Sequence, residues 1–220
     1  MALIVKAALS DQIFDLLRAR IVAGELAADA PIRQDALAAE LGISKIPLRE
    51  ALARLEQDGL VVSERNRGYV VRALTAEEAY DVFDLRLKIE PDAVAAAAAC
   101  LAPADIAAGR EALAALDAAA AARDGRAGAL NRAFHMALIR PGGRPVTLQT
   151  AERLHTISER YVVRHLEPAG RADRALGEHA ALLAAWAAGD AARARALSTA
   201  HIAATLADLR AELERVGVPA

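Results

Sequence analysis

The unbroken run Ala95 to Ala99, set among further alanine-rich stretches, constrains this chain more than any other feature. Alanine is the strongest helix former, whereas strands draw on β-branched and aromatic residues. Aromatics make up only 3% of the chain. The composition therefore predicts a mainly α protein of closely packed helices and argues against an all-β fold. With 55% hydrophobic and 25% charged residues over 220 positions, the chain can bury a core and fill one large domain or two small ones.

Bulk charge points to no polyanionic partner, because the formal net charge is -2. A nucleic-acid role must rest on where particular cations are placed. The single cysteine, Cys100, excludes an internal disulfide framework and fits a reducing compartment. The start, Met1 to Lys6, lacks the basic segment and long apolar stretch of a signal peptide, and the most apolar segment, 93–102, is too short to span a bilayer. The expectation is a cytoplasmic protein with no membrane partner.

Two regions differ in texture. In residues 1–74, Ser10 stands as a candidate N-cap before Ile13, Phe14, Leu16, Leu17 and Ile21 at helical spacing, and Gly24 can end that helix. A short helix from about 33 to 41 follows. Gly42 can turn the chain, Ser44 is placed as the next N-cap, and a helix then runs to about Asp58. Leu60 to Ser63 and Tyr69 to Arg72 flank the polar turn Glu64-Arg65-Asn66-Arg67-Gly68 and read as a hairpin. Residues 75–220 read as six helices: 75–101 (capped by Thr75 and kinked at Pro91), 103–123, 126–140, 144–166, 171–188 and 190–215.

Helix, glycine turn, helix and hairpin make a winged helix-turn-helix. Leu48, Leu52 and Leu55 share one face of the second helix and are expected to be buried. Lys45 and Arg49, spaced i and i+4, project together from another face near the helix start. A cation there can bind phosphate, or the O6 and N7 acceptors of guanine. Arg65, Arg67 and Arg72 bring charge to the hairpin, and Asn66 and Gly68 suit a tight turn lying against a phosphate backbone. The same spacing also fits a small helical subdomain with solvated charges, since residues 1–72 carry ten basic and ten acidic side chains.

The second region holds all five histidines. His179 precedes the Gly189-Asp190 turn by about as many residues as His201 follows it. In an antiparallel pair rising about 1.5 Å per residue, both sit at one height, roughly 15 Å from the turn. Asn131 and His135 are i and i+4 on another helix, a spacing that lets two side chains hold one ion. Imidazoles converging from different helices build a metal site in a bundle. Core or surface histidines with incidental symmetry are the other reading.

The stretch Leu41 to Leu52, followed by Leu55 to Val61 and Asn66-Arg67-Gly68, resembles the winged helix-turn-helix of the GntR family of bacterial transcription regulators, over about residues 9–74. The resemblance implies a homodimer reading an inverted-repeat operator in double-stranded DNA, with Lys45, Arg49 and the wing around Gly68 at the DNA. Three positions depart from the family pattern. Lys45 replaces a bidentate arginine, Ile46 offers an apolar contact in place of a small hydroxyl residue, and Asp35 stands where an arginine usually faces DNA.

Residues 75 to about 212 resemble the all-helical effector-binding domain (FCD type) of one GntR branch, and the helix count suits its VanR-like subgroup. The matching pieces include Asp84-Leu85-Arg86 with Ile89-Glu90-Pro91, Asn131 to His135, Glu178-His179 through Asp190, and His201-Ile202. The resemblance implies a divalent metal ion held by Asn131, His135, His179 and His201. Three imidazoles suit Zn, Ni or Cu, and the amide oxygen also admits Mn. It further implies a small carboxylate effector beside the metal, with Arg86 as first candidate for the carboxylate. A salt bridge from Arg86 to Asp84, Glu90 or a neighbouring helix is the alternative. Arg160, Tyr161 and Arg164 are further candidates for the pocket, His155 and His165 are not expected as ligands, and Trp186 is expected in the core or a dimer interface.

These readings combine into a ligand-responsive transcription regulator, expected to be a repressor and not an enzyme. The competing function is a helical metalloenzyme with an N-terminal dimerisation module. Against it, the chain has no His-Glu-x-x-His, nucleophile elbow or P-loop. A metal-sensing regulator is a third reading.

Overall fold

The computed structural model describes residues 9–166 and 172–217 and, within them, all side chains except those of residues 165, 166, 172 and 173. The sequence readings of residues 1–6, of the boundary at 168–170 and of the His165 side chain fall outside these. Contacts divide the chain into two compact units, Met1–Ala73 and Leu74–Ala220.

The first unit runs α1 (Leu9–Val22), α2 (Gln34–Leu41), α3 (Lys45–Gln57), β1 (Val61–Glu64) and β2 (Gly68–Val71). Ser10 does not cap α1; it already lies within the helix. Between α2 and α3, Gly42 takes φ +64°, and a Cβ there would meet nothing within 4 Å. Glycine is therefore required by backbone conformation and not by space. The Ile43 amide donates back to Ala38 O at 3.0 Å, closing the end of α2. Ser44 is the N-cap of α3 in extended conformation, but its side chain makes no capping bond.

Leu48, Ala51, Leu52 and Leu55 form the buried face of α3 and pack with Ile13, Leu17 and Ile21 of α1. Four buried apolar residues within two turns bring most of this helix's stabilisation from packing, as expected for so short an element. The strands pair antiparallel from Val61↔Val71 to Glu64↔Gly68. Asn66 (φ +68°) and Gly68 (φ +73°) make the tip that the hairpin needs. The chain at 29–32 covers the outer edge of β2: the Ile32 amide donates to Tyr69 O, and the Val71 amide to Ala30 O.

The second unit contains α4 (Ala76–Ala98), α5 (Pro103–Ala121), α6 (Ala127–Ile139), α7 (Pro145–Tyr161), α8 (Ala172–Ala187) and α9 (Ala191–Val216). Thr75 caps α4 as the sequence predicts, accepting from the Glu78 amide at 3.1 Å. α4 continues through Pro91 to Ala98 and packs against α6, α7, α8 and α9. A π turn, Val162–Leu166, extends α7. Small residues set the helix spacing. A Cβ on Gly109 of α5 would come within 3.1 Å of the Trp186 ring on α8. Trp186 is fully buried and donates Nε1–H to Leu138 O at 3.0 Å, which places it in the core.

Candidate functional site

In the first unit, α3 turns Ser44, Lys45, Ile46, Arg49 and Glu50 to solvent, opposite its leucine face. Lys45 forms an ion pair with Asp35 of α2. That contact is exposed on both sides, so its strength is modest, but it neutralises the first cation of the helix. Arg49 has no partner among the described residues. At the wing, Arg67 contacts Glu64 at 2.5 Å and donates to Asp29 O at 3.2 Å, which fastens it to its own turn. Arg65, Asn66 and Gly68 are exposed at the tip. Of the residues read as DNA contacts, Arg49 and Arg65 are thus the cations left unengaged.

In the second unit, His135 of α6, His179 of α8 and His201 of α9 converge, with one ligating nitrogen of each within 4.8 Å of the other two. His179 Nε2 and His201 Nε2 lie 3.3 Å apart. His201 is oriented by its other nitrogen: Nδ1–H donates to Glu178 Oε2 at 2.7 Å, and Glu178 also faces Arg174 at 3.1 Å. A carboxylate on the far side of an imidazole fixes its tautomer and raises its basicity as a ligand. The hydrogen bond from His201 holds Glu178 below the ordinary carboxyl range.

Burial keeps His135 and His179 neutral. It pushes His135 well below its usual value, with the neighbouring histidines adding to the effect, and lowers His179 to about 3. His135 Nε2 and His179 Nδ1 are buried with no hydrogen-bond partner among the described residues. Orphaned buried nitrogens on two neutral imidazoles, with the His201 ring beside them, fit a cation. Asn131, one turn from His135, lines the same cavity of about 120 Å³ with Arg86, Arg174 and apolar residues such as Leu116 and Val162.

Behind His135 lies a second cluster, in which the Arg86–Glu90 pair offered as the alternative is joined by Ser158 and His155 of α7. Arg86 is 4% exposed and Glu90 1%. Arg86 Nε donates to Glu90 Oε1 at 2.7 Å, Nη2 to Oε2 at 3.3 Å, and Nη1 to Ser158 Oγ at 3.1 Å. His155 Nε2 is 3.0 Å from Glu90 Oε2 and 3.2 Å from Arg86 Nη2. Burial pushes the Glu90 carboxyl up, but Arg86 and His155 together outweigh it and hold the group at about 2. His155 is neutral, lowered to about 4 chiefly by burial. Glu90, His135 and His155 are close enough to suggest a second cation site, yet the guanidinium already occupies the carboxylate. The cluster is therefore an ion-paired network.

Arg86 thus both lines the cavity and is paired with Glu90. Arg160 and Tyr161 are buried but do not line it, and Arg164 is exposed. The Tyr161 hydroxyl instead donates to Glu78 Oε2 at 2.8 Å and accepts from the Thr75 amide at 3.1 Å. Arg174, absent from the sequence reading, lines the cavity, and Glu178, quoted there only as part of the family match, backs His201. Glu178 had a visible cue, since it immediately precedes His179.

Residues 9–71 match the family described as "Bacterial regulatory proteins, gntR family", and residues 81–204 match the "FCD domain". The chain belongs to the GntR family. A GntR relative, the "HTH-type transcriptional repressor GlaR" of Escherichia coli (strain K12), is 30% identical over 199 residues, covering 84% of this chain and 89% of that protein. The "Nta operon transcriptional regulator" of Aminobacter aminovorans is 33% identical over 129 residues; the match spans 59% of this chain and 60% of that regulator, less than two thirds of its length. Among solved structures, "E. coli McbR/YncC" superposes with a TM-score of 0.79 at 25% identity, over 93% of this chain and 98% of that one. A putative GntR regulator from Rhodococcus sp. RHA1 has the same fold, with a TM-score of 0.77 at 24% identity. The matched families and the relatives' names are those of transcription regulators, not of enzymes. Among the described residues, no helix is long and apolar enough to cross a membrane.

Proposed function

We propose that this GntR protein is a cytoplasmic, dimeric repressor that reads an inverted-repeat operator through residues 1–74 and senses a small carboxylate through residues 75–220. The observation that carries the sensing half is the meeting of His135, His179 and His201 at one cavity. Those three residues and Asn131 would hold a divalent ion such as Zn, Ni or Mn. A bound ion would supply positive charge for an anionic ligand, and the neutral Asn131 amide would leave more of that charge uncompensated than a carboxylate would.

Arg86 supports a carboxylate ligand by its place in the cavity wall, and its pairing with Glu90 presets the plane of the guanidinium. Glu178 positions His201, and Arg174 steadies Glu178. A carboxylate that binds one arrangement of the helices better than another shifts the protein toward it, and operator affinity changes with that population. On the DNA side, Arg49 and Arg65 are the unengaged cations. Lys45 and Arg67 would exchange Asp35 and Glu64 for phosphate, while Asn66 and Gly68 let the wing approach the backbone.

Two measurements test this. Metal analysis of purified protein should find close to one divalent ion per chain, lost in a His179→Ala, His201→Ala variant. Equal metal content in that variant would refute the site. Mobility shifts on the DNA upstream of the gene should show retardation that small carboxylic acids relieve, and Arg49→Ala with Arg65→Ala should abolish it. Retardation unchanged in that double variant would refute the DNA-reading surface.

A further inference from the structure

The outward face of α3 is less cationic than its sequence. Lys45 is drawn to Asp35, and Arg54, further along, pairs with Asp11 and covers the Phe14 ring with its guanidinium 4.4 Å from the centroid. Between these two tethered ends, the open face consists of Ile46, Arg49 and Glu50. Ile46 is 71% exposed, the most exposed large apolar side chain described in its unit. It sits at the second position of α3, the end that such helices present to the major groove.

We infer that Ile46 determines operator specificity by contacting the C5-methyl group of a thymine beside the base pair that Arg49 reads. The inference rests on the DNA-reading surface proposed above and deepens it. In the major groove, guanine, adenine and cytosine offer polar edges at the positions a side chain meets; thymine alone adds a methyl group. An isoleucine has no donor or acceptor. Set against a polar edge, it removes water from that edge and returns no hydrogen bond. Set against a methyl, it buries apolar surface on both sides. Ile46 and Arg49 are three positions apart on one helix, so their Cβ atoms are about 5–6 Å from each other. That separation matches one or two base-pair steps of roughly 3.4 Å. A thymine within two base pairs of a guanine is therefore the expected signature of each half-site.

The test uses full-length protein and a pool of randomised duplex DNA. Wild type should enrich sites carrying this thymine and guanine. Replacing the thymine by deoxyuridine removes only the methyl, and it should weaken wild-type binding roughly fourfold per half-site. An Ile46→Ser variant, altered at an exposed position and expected to keep its circular dichroism, should bind thymine and uracil duplexes equally. The inference fails if uracil at every thymine of the enriched site leaves wild-type affinity unchanged, or if Ile46→Ser enriches the same thymine. It also fails if Ile46→Ser changes only the sedimenting mass of the protein, which would assign Ile46 to a contact between copies of the chain. If wild type enriches no sequence, the DNA-reading surface itself falls, and this inference with it.

Discussion

Glu90 shows how much a single buried side chain can carry. It is enclosed by Arg86 and His155, and it faces Arg86 Nε and Nη2 with both oxygens. A pair of this kind is expensive to break, because the surviving charge stays buried without its counterion. Glu90→Ala should lower the stability of the helical unit by about 3 kcal/mol, read from the midpoint of urea unfolding. The histidines set an acid limit. His155 and His179 have folded values of about 4 and about 3, below the ordinary 6.5. In metal-free protein the unfolded chain therefore binds more protons than the fold as the pH drops below 6.5. Stability present at neutral pH should then decline toward pH 4, and below about 4.5 the loss of the Glu90 contribution, complete only below about 2, adds to it. Thermal scans in chelator across that range should show a falling Tm. A Tm that stays flat from pH 7 to 4.5 would contradict it.

At the scale of elements, α5 and α8 meet through Gly109, whose missing side chain makes room for Trp186 and Leu183. Gly109→Val places two methyl groups where one Cβ would already lie 3.1 Å from the indole, and should cost about 1–3 kcal/mol, visible as a lower Tm. The elements themselves were legible. Gly42, Gly59 and Gly189, all in the left-handed region, punctuate the helices where the sequence suggested, and alanine filled the intervals. The paired positions of His179 and His201 could also be read, because both are measured from one tight turn along regular helices. Hidden from the sequence were the partners supplied across the bundle. Nothing in the spacing announces that Ser158 and His155 of α7 reach Arg86 of α4, or that Asp35 reaches across to Lys45. Such contacts depend on how helices far apart in sequence pack. The Ser10 expectation failed because a good capping residue inside a helix looks the same on paper as one at its edge.

Among the described residues, one hydrophobic cluster, around α3 and Leu52, lies in the first unit, and two others lie in the second, which also holds the histidines. Calorimetry should then resolve effects on each unit. Leu52→Ala, which empties a fully buried site, should depress the transition of residues 1–73 by about 2–5 kcal/mol. Chelation should lower only the transition of residues 74–220, since a bound ion stabilises the part that binds it. One transition that shifts as a whole under both treatments would mean the units melt together.

Helix α7 joins two features separated by a single turn. Ser158 grips the guanidinium that walls the cavity, and Tyr161 clasps the peptide at Thr75 where that unit's first helix sets out. A rod so short cannot bend between its two handholds. A ligand that displaced Arg86 would therefore load the same helix turn that holds Thr75 at the head of α4.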